Sequence, residues 1–356
     1  MAIPKVLDSV QQLRAVAALG VLIFHIETQA ARMGYEGYWP NFLSSGVDIF
    51  FVISGFIMWV TTYGRSTTPL QFLGNRLARI VPLYWLVTTF ALVILLVQPS
   101  WMQSGVLSWP HVISSYLFFP IVHPVKLASM EPLIFAGWTL NYEMLFYAIF
   151  AIALMLSTKA RLWFTILVLA ALAALRLTNP EPLTVLWFYS HDIILEFGFG
   201  VLIGWYITAE RSVLPWLSYV LIGVGSVTLA LFAANPDIDA LRVLVRGAPS
   251  ALIVLGAVSL EVEGRKIRSA FVNYLGDASY SIYLVHGIAL SAYTQIWRIV
   301  LPQGTEQNLM AFTVSAVVAC CLASIVVYEV VEKPITLAIK KWRDSRKIQS
   351  APQTAP

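Results

Sequence analysis

The chain has 356 residues, of which 58% are hydrophobic and 12% charged, and its mean hydropathy is +0.75. A charged share about half that of an ordinary soluble domain excludes a soluble globular protein and predicts an all-α integral membrane protein. The net charge of +4 bears on topology and contact with anionic lipid, with no case for nucleic-acid binding.

A hydrocarbon core about 30 Å thick takes about 20 apolar residues per helix. Ten runs of about that length occur, near 12–32, 43–63, 81–98, 134–156, 160–177, 184–207, 214–234, 243–260, 275–298 and 309–331. They predict a bundle of about ten transmembrane helices. The stretch from Val106 to Pro120 is apolar but short, and reads as an interfacial or re-entrant piece. Lys5 ahead of the first run and Ala30-Ala31 after it imitate a cleaved signal sequence; its spanning length, the His25 inside it and the nine runs that follow argue for a retained span. With the N-terminus inside, 17 of the 23 Lys and Arg fall on the inner side and 6 on the outer, so both termini are expected in the cytoplasm. One membrane domain is expected over 1–342, with a short, polar, disordered tail over 343–356. Cys320 and Cys321 are adjacent in the last run and read as inert packing residues, and no metal site is expected.

The polar residues inside these runs carry the functional information, because ionisable groups are costly in a bilayer. In the first run, LRAVAALGVLIFH places Arg14 and His25 eleven residues apart. At about 100° and 1.5 Å per residue they fall within about 20° of one helix face, some 16 Å apart along the axis. A ligand with an anionic head and a long thin arm would touch both; a snorkelling Arg14 and a satisfied core His25 are the plainer alternative.

In the second run, DIFFVISGF puts Asp48 toward the outer end and Ser54-Gly55 near the middle, where the small pair reads as a helix contact rather than a nucleophile. NRLARIVP places Arg76 and Arg79 before the third run, three apart on one face. They form either a topogenic pair or, with Arg14, a phosphate grip at the cytoplasmic entrance.

In the fourth run, GWTLNYEMLFY carries Glu143. Counted from the inner ends of their helices, Glu143 and His25 both lie about 19 Å up. Equal depth suggests a base and its orienting carboxylate. Trp138, Asn141 and Tyr142 are nearby candidates for oxyanion donors.

His191, Asp192 and Glu196 in the sixth run are candidate acceptor contacts, and Gly200 and Gly204 after them read as packing. SYSIYLVH sets His286 in the ninth run at about the level of His25, either lining the site or buried beside it. The candidate acceptor contacts are thus Asp48, Trp138, Asn141, His191, Asp192, Glu196 and His286. His111 and His123 belong to an external loop, and Trp39, Trp101, Trp109 and Tyr116 fit an aromatic belt or a sugar-stacking surface.

Taken in order, LRAVAALGVLIFH, FFVISGF, RLAR followed by IVP, Trp138-Thr139-Leu140 with Glu143, SYSIYLVH and a closing YEVVEKP resemble the acyltransferase-3 family over residues 9 to 335. The wording of the first two segments is most similar to its exopolysaccharide acetyltransferase, ExoZ-like branch. The resemblance implies a bacterial inner-membrane enzyme of ten spans that moves an acetyl group from cytoplasmic acetyl-CoA to a glycan hydroxyl. It also implies functional roles for Arg14, His25, Arg76 and Arg79. Gly74 and Asn75 stand before Arg76 where many relatives carry further basic residues, and the periplasmic domain that many append is expected to be missing here. In the resulting scheme Arg14, Arg76 and Arg79 hold the acetyl-CoA head, and His25, braced by Glu143, acts as general base on the glycan hydroxyl. Two alternatives stand beside it: a two-step transfer through acylated His25 or Ser54, and a proton-coupled transporter built on the buried His and Glu.

Overall fold

The computed structural model describes residues 7–99, 106–233, 242–265, 268–300 and 309–349, and every regular element among them is helical. Lys5, Trp101 and the chain beyond Gln349 lie outside the described residues. The helices are α1 (Asp8–Arg32), α2 (Gly46–Thr62), α3 (Pro69–Val97), α4 (Trp109–Tyr116), α5 (Gly137–Ala153), α6 (Thr158–Ala174), α7 (Val185–Tyr189), α8 (Leu195–Thr208), α9 (Pro215–Phe232), α10 (Ala248–Val262), α11 (Ala270–Asp277), α12 (Ser279–Val300), α13 (Leu309–Val327) and α14 (Lys333–Gln349).

Seven helical stretches among the described residues are long and apolar enough to cross a bilayer: Asp8–Arg32, Asn41–Thr62, Pro69–Val97, Thr158–Thr178, Pro215–Phe232, Val243–Val262 and Leu309–Arg343. The other three expected runs differ for visible reasons. Helix α5 has 17 residues, and α12, with 22, buries Ser279, Ser281, Tyr283, His286 and Thr294 beside Ile282, Leu284 and Leu290. The sixth run is broken. The Thr184 hydroxyl caps α7 by accepting from Trp187 N, and the chain restarts through a 3-10 turn at Asp192–Ile194 before α8.

Two boundaries move. Helix α3 starts at Pro69 because Thr68 and Gln71 form a capping box with proline at the first position. Arg76 and Arg79 are therefore inside the helix rather than ahead of it. At the other end, α14 continues the last span to Gln349, so the helix runs past the boundary expected at 342.

The core is set by close helix contacts. A methyl at Gly55 would fall on the Phe197 carbonyl oxygen and one at Gly200 on that of Val52, so α2 and α8 touch backbone to backbone. Gly204 lies against Trp59 in the same seam. This is the small-residue packing by which helices associate where lipid offers no hydrophobic drive.

Helix α1 packs on α2, α11 and α12. Its first turn is held by the Glu261 carboxylate, which accepts from Ser9 N at 2.8 Å and Asp8 N at 3.0 Å, a favourable place for negative charge. Cys320 is fully buried against Leu22, Ile26 and Phe312, and both cysteines are free. The short α4 lies against α3, where the Tyr84 hydroxyl donates to Ser115 O at 3.1 Å.

Candidate active site

Two cavities sit one above the other along α1 and α12. The first, of about 100 Å³, is lined by Arg14 of α1, Arg76 and Arg79 of α3, Ser54 of α2, and Glu143 and Tyr147 of α5, with Phe50, Ile53 and Met58 as apolar wall. The three-residue spacing on α3 aims both of its guanidinium groups into this space. Arg14 is buried, and its Nη1 donates to Gln11 Oε1 at 2.9 Å.

Among the described residues no carboxylate comes within ion-pair distance of Arg14, Arg76 or Arg79. Glu143 lines the same cavity, but its Oε1 accepts from Ser54 Oγ at 3.0 Å and from Tyr147 OH at 2.6 Å. The Arg76 Nε is buried with no hydrogen-bond partner. Three guanidinium groups beside one carboxylate make a net cationic pocket, and guanidinium forks match phosphate oxygens. The donor set fits a ligand with a phosphorylated head and a slender arm.

The second cavity, of about 440 Å³, is lined by His25 of α1, Trp138 of α5 and His286 of α12, with Phe135, Glu27, Arg242 and Arg246 around them. The His25 ring stacks on His286, with centroids 5.1 Å apart and planes at 25°, and meets the edge of Phe135 at 5.1 Å. His286 Nδ1 lies 2.6 Å from the carbonyl oxygen of Tyr283. A carbonyl only accepts, so Nδ1 carries the proton and Nε2 is the acceptor of the neutral ring.

Arg242 and Arg246 flank and occupy a π-helical turn at Val243–Gly247; such turns recur at functional sites. The turn is anchored from beneath. Asp48, fully buried, accepts from Arg242 Nη2 at 2.8 Å, and Asp192 Oδ2 accepts from Val243 N at 3.0 Å.

The base-and-carboxylate pair expected of His25 and Glu143 is not formed. His25 belongs to one cavity and Glu143 to the other. Equal depth along two helices leaves their azimuths open, and α1 packs chiefly on α2, α11 and α12 rather than on α5. The ring beside His25 is His286, on α12.

Of the candidate acceptor contacts, Trp138 and His286 line the cavity with His25. Asp48, Asn141, His191, Asp192 and Glu196 line neither cavity. Asn141 is buried in α5, Glu196 is buried near Asp48 and Arg242, and His191 Nδ1 lies 2.9 Å from Asp192 Oδ1. Of these, Asp48 and Asp192 support the wall by holding Arg242 and Val243 N.

Sequence reading passed over Tyr283, Tyr147, Arg242 and Arg246. Tyr283 was legible in principle, since Ser279, Tyr283 and His286 recur at four and three residues, one helix face. Tyr147 likewise stands four residues after Glu143. Arg242 stands just ahead of the eighth apolar run and reads as an ordinary loop cation, whereas Arg246 falls inside that run, a signal that its place near the outer end masked.

An apolar helical bundle that buries a cationic pocket next to a pair of imidazoles is an arrangement that a multi-pass membrane enzyme transferring a group can use. The family model for the acyltransferase domain of the acyltransferase-3 family matches residues 7–329, and the chain belongs to that family. The chain is similar to the exopolysaccharide production protein ExoZ of Rhizobium meliloti, with 36% identity over 301 residues, covering 82% of this chain and 89% of ExoZ. It is also similar to the acyltransferase MdmB of Streptomyces mycarofaciens, 27% identical over 315 residues, 79% of this chain and 78% of MdmB. The O-acetyltransferase OatA of Staphylococcus aureus matches at 28% over 163 residues, 42% of this chain and 25% of OatA. No solved structure matches the chain.

Proposed function

We propose that this protein is an O-acyltransferase of the bacterial inner membrane that moves an acetyl group from cytoplasmic acetyl-CoA to a hydroxyl of an exopolysaccharide or other cell-surface glycan. The observation that carries this reading is the stacking of the two cavities, one lined by three guanidinium groups and the next by His25 and His286, meeting at Val47 and Tyr283. With ten spans and both termini cytoplasmic, the arginine cavity faces the cytosol, where the donor is, and the histidine cavity faces the acceptor.

Arg14, Arg76 and Arg79 hold the phosphates of the donor, and the apolar wall takes its arm. His25 removes the proton from the glycan hydroxyl as its oxygen bonds to the acetyl carbon. The carbon–sulfur bond then breaks, and the proton held on His25 passes to the departing thiolate. His286, fixed by the Tyr283 carbonyl, keeps the His25 ring in place. Glu143 works on the donor side, where it holds the hydroxyls of Ser54 and Tyr147 and partly balances the cations. The similarity to ExoZ supports an exopolysaccharide acceptor, and that to OatA supports acetyl as the group moved.

Saturable binding of radiolabelled acetyl-CoA to the purified protein is the test. Arg76→Ala combined with Arg79→Ala is expected to weaken binding roughly a hundredfold, since each removes hydrogen bonds to a charged group. Wild-type affinity in that double variant would remove the arginines from the donor site. A two-step route through Ser54 has one specific support, the Ser54–Glu143 hydrogen bond inside the arginine cavity. Protein and labelled donor quenched without acceptor would then yield acetyl-Ser54, and an unlabelled protein would leave direct transfer.

A further inference from the structure

Between the arginine cavity and the histidine cavity stands, among the described residues, one polar side chain. Tyr283 lines both, and the other shared residue, Val47, has no polar side-chain atom. The Tyr283 ring is nearly buried, packs edge-on against Phe50 with centroids 5.7 Å apart, and sits 6.0 Å from the His286 ring.

Its hydroxyl lies 2.9 Å from Thr139 Oγ1, and Thr139 itself donates to Ala136 O at 3.0 Å. A threonine hydroxyl has one proton. Because that proton goes to the Ala136 carbonyl, Tyr283 must be the donor in the bond between the two hydroxyls. A single neutral hydrogen bond thus latches the ring across the boundary.

We infer that Tyr283 is the gate of the transfer reaction: latched on Thr139, it keeps water of the histidine cavity from the thioester; released, it lets the acetyl group reach His25. The inference rests on the acyltransferase reading above. A thioester within reach of a general base and free water hydrolyses. The water oxygen bonds to the acetyl carbon, the carbon–sulfur bond breaks, one water proton passes through His25 to the leaving sulfur and the other stays on the acid, giving acetic acid and free thiol. Exclusion of water from a reactive intermediate is a recognised task of such closures. Tyr283 acts here as a positioning residue, and its signature is the hydrolysis it prevents.

The experiment measures thiol release from acetyl-CoA by the full-length protein in detergent, with no acceptor present. Tyr283→Ala is expected to raise thiol release about tenfold or more over wild type, through the base chemistry of His25. Acetyl-CoA still binds saturably, since Arg14, Arg76 and Arg79 are untouched, and adding His25→Ala returns the release to baseline. Thr139→Val, which keeps the shape of the side chain and removes the latch, is expected to give a smaller increase in the same assay. Wild-type thiol release from a Tyr283→Ala protein that binds acetyl-CoA normally overturns the gate. If Tyr283→Ala does not fold, unchanged release by Thr139→Val overturns it instead. Absence of saturable acetyl-CoA binding by the wild type overturns the acyltransferase reading, and the gate with it. Intact binding with unchanged release overturns the gate alone.

Discussion

Replacing His25 by alanine is expected to lower acetyl transfer by about 10²- to 10⁴-fold, the usual contribution of a positioned general base, while leaving acetyl-CoA binding near wild type. The separation of the two effects follows from the geometry. His25 lines the cavity with Trp138 and His286, and Arg14, Arg76 and Arg79, which we propose hold the donor, line the other. Among the described residues His25 makes ring contacts with Phe24, Phe135 and His286 and no hydrogen bond, so its removal leaves no buried polar partner stranded. The fold therefore tolerates the change. The second cavity has a volume of about 440 Å³, enough for free imidazole to enter the vacated space and restore part of the rate. His286→Ala tests the assignment from the other side. A larger loss there than in His25→Ala, measured as glycan acetylation by mass spectrometry, would exchange the roles of the two imidazoles.

The second large effect is structural. Gly55→Ala and Gly200→Ala are each expected to destabilise the protein at or above the upper end of the ~1–3 kcal/mol typical of an overpacked core. In both, the added carbon collides with a carbonyl oxygen of the facing helix, Phe197 O or Val52 O, and backbone does not step aside as a flexible side chain does. Separating α2 from α8 also moves Val47, Phe50 and Ser54, which α2 contributes to the cavities. Gly223→Ala on α9 is the control. Nothing lies within 4 Å of a methyl built there, so helix propensity alone acts and favours alanine by roughly 0.5–1 kcal/mol. Thermal unfolding in detergent, followed by size exclusion, reads all three. Equal melting temperatures for Gly55→Ala, Gly200→Ala and Gly223→Ala would show that α2 and α8 are not in backbone contact.

Composition and apolar run length determined the class of fold, because lipid permits few ways to satisfy a backbone. The same forces that make polar residues rare inside a membrane made Arg14, His25, Glu143 and His286 conspicuous in a linear text. The three-residue spacing of Arg76 and Arg79 was enough to put them on one face, and the small residues around Gly55 and Gly200 already marked a seam. Helix starts were less legible. The capping box at Thr68 lies ahead of the apolar run, so α3 takes in both arginines, and the polar break at His191-Asp192 divides what reads as one span.

Only the tertiary structure decided which polar residues meet. Depth along a helix is fixed by counting residues, but the direction in which a side chain points is relative to its neighbours, and neighbours are chosen by packing. Thus Glu143 turned to Ser54, His25 to His286, and Asp48 to Arg242 nearly two hundred residues away. The presence of two cavities, with Tyr283 between them, likewise depends on α12 lying against α1. Periodicity along a single helix carries no information about that contact, since it arises from the fit of one surface to another.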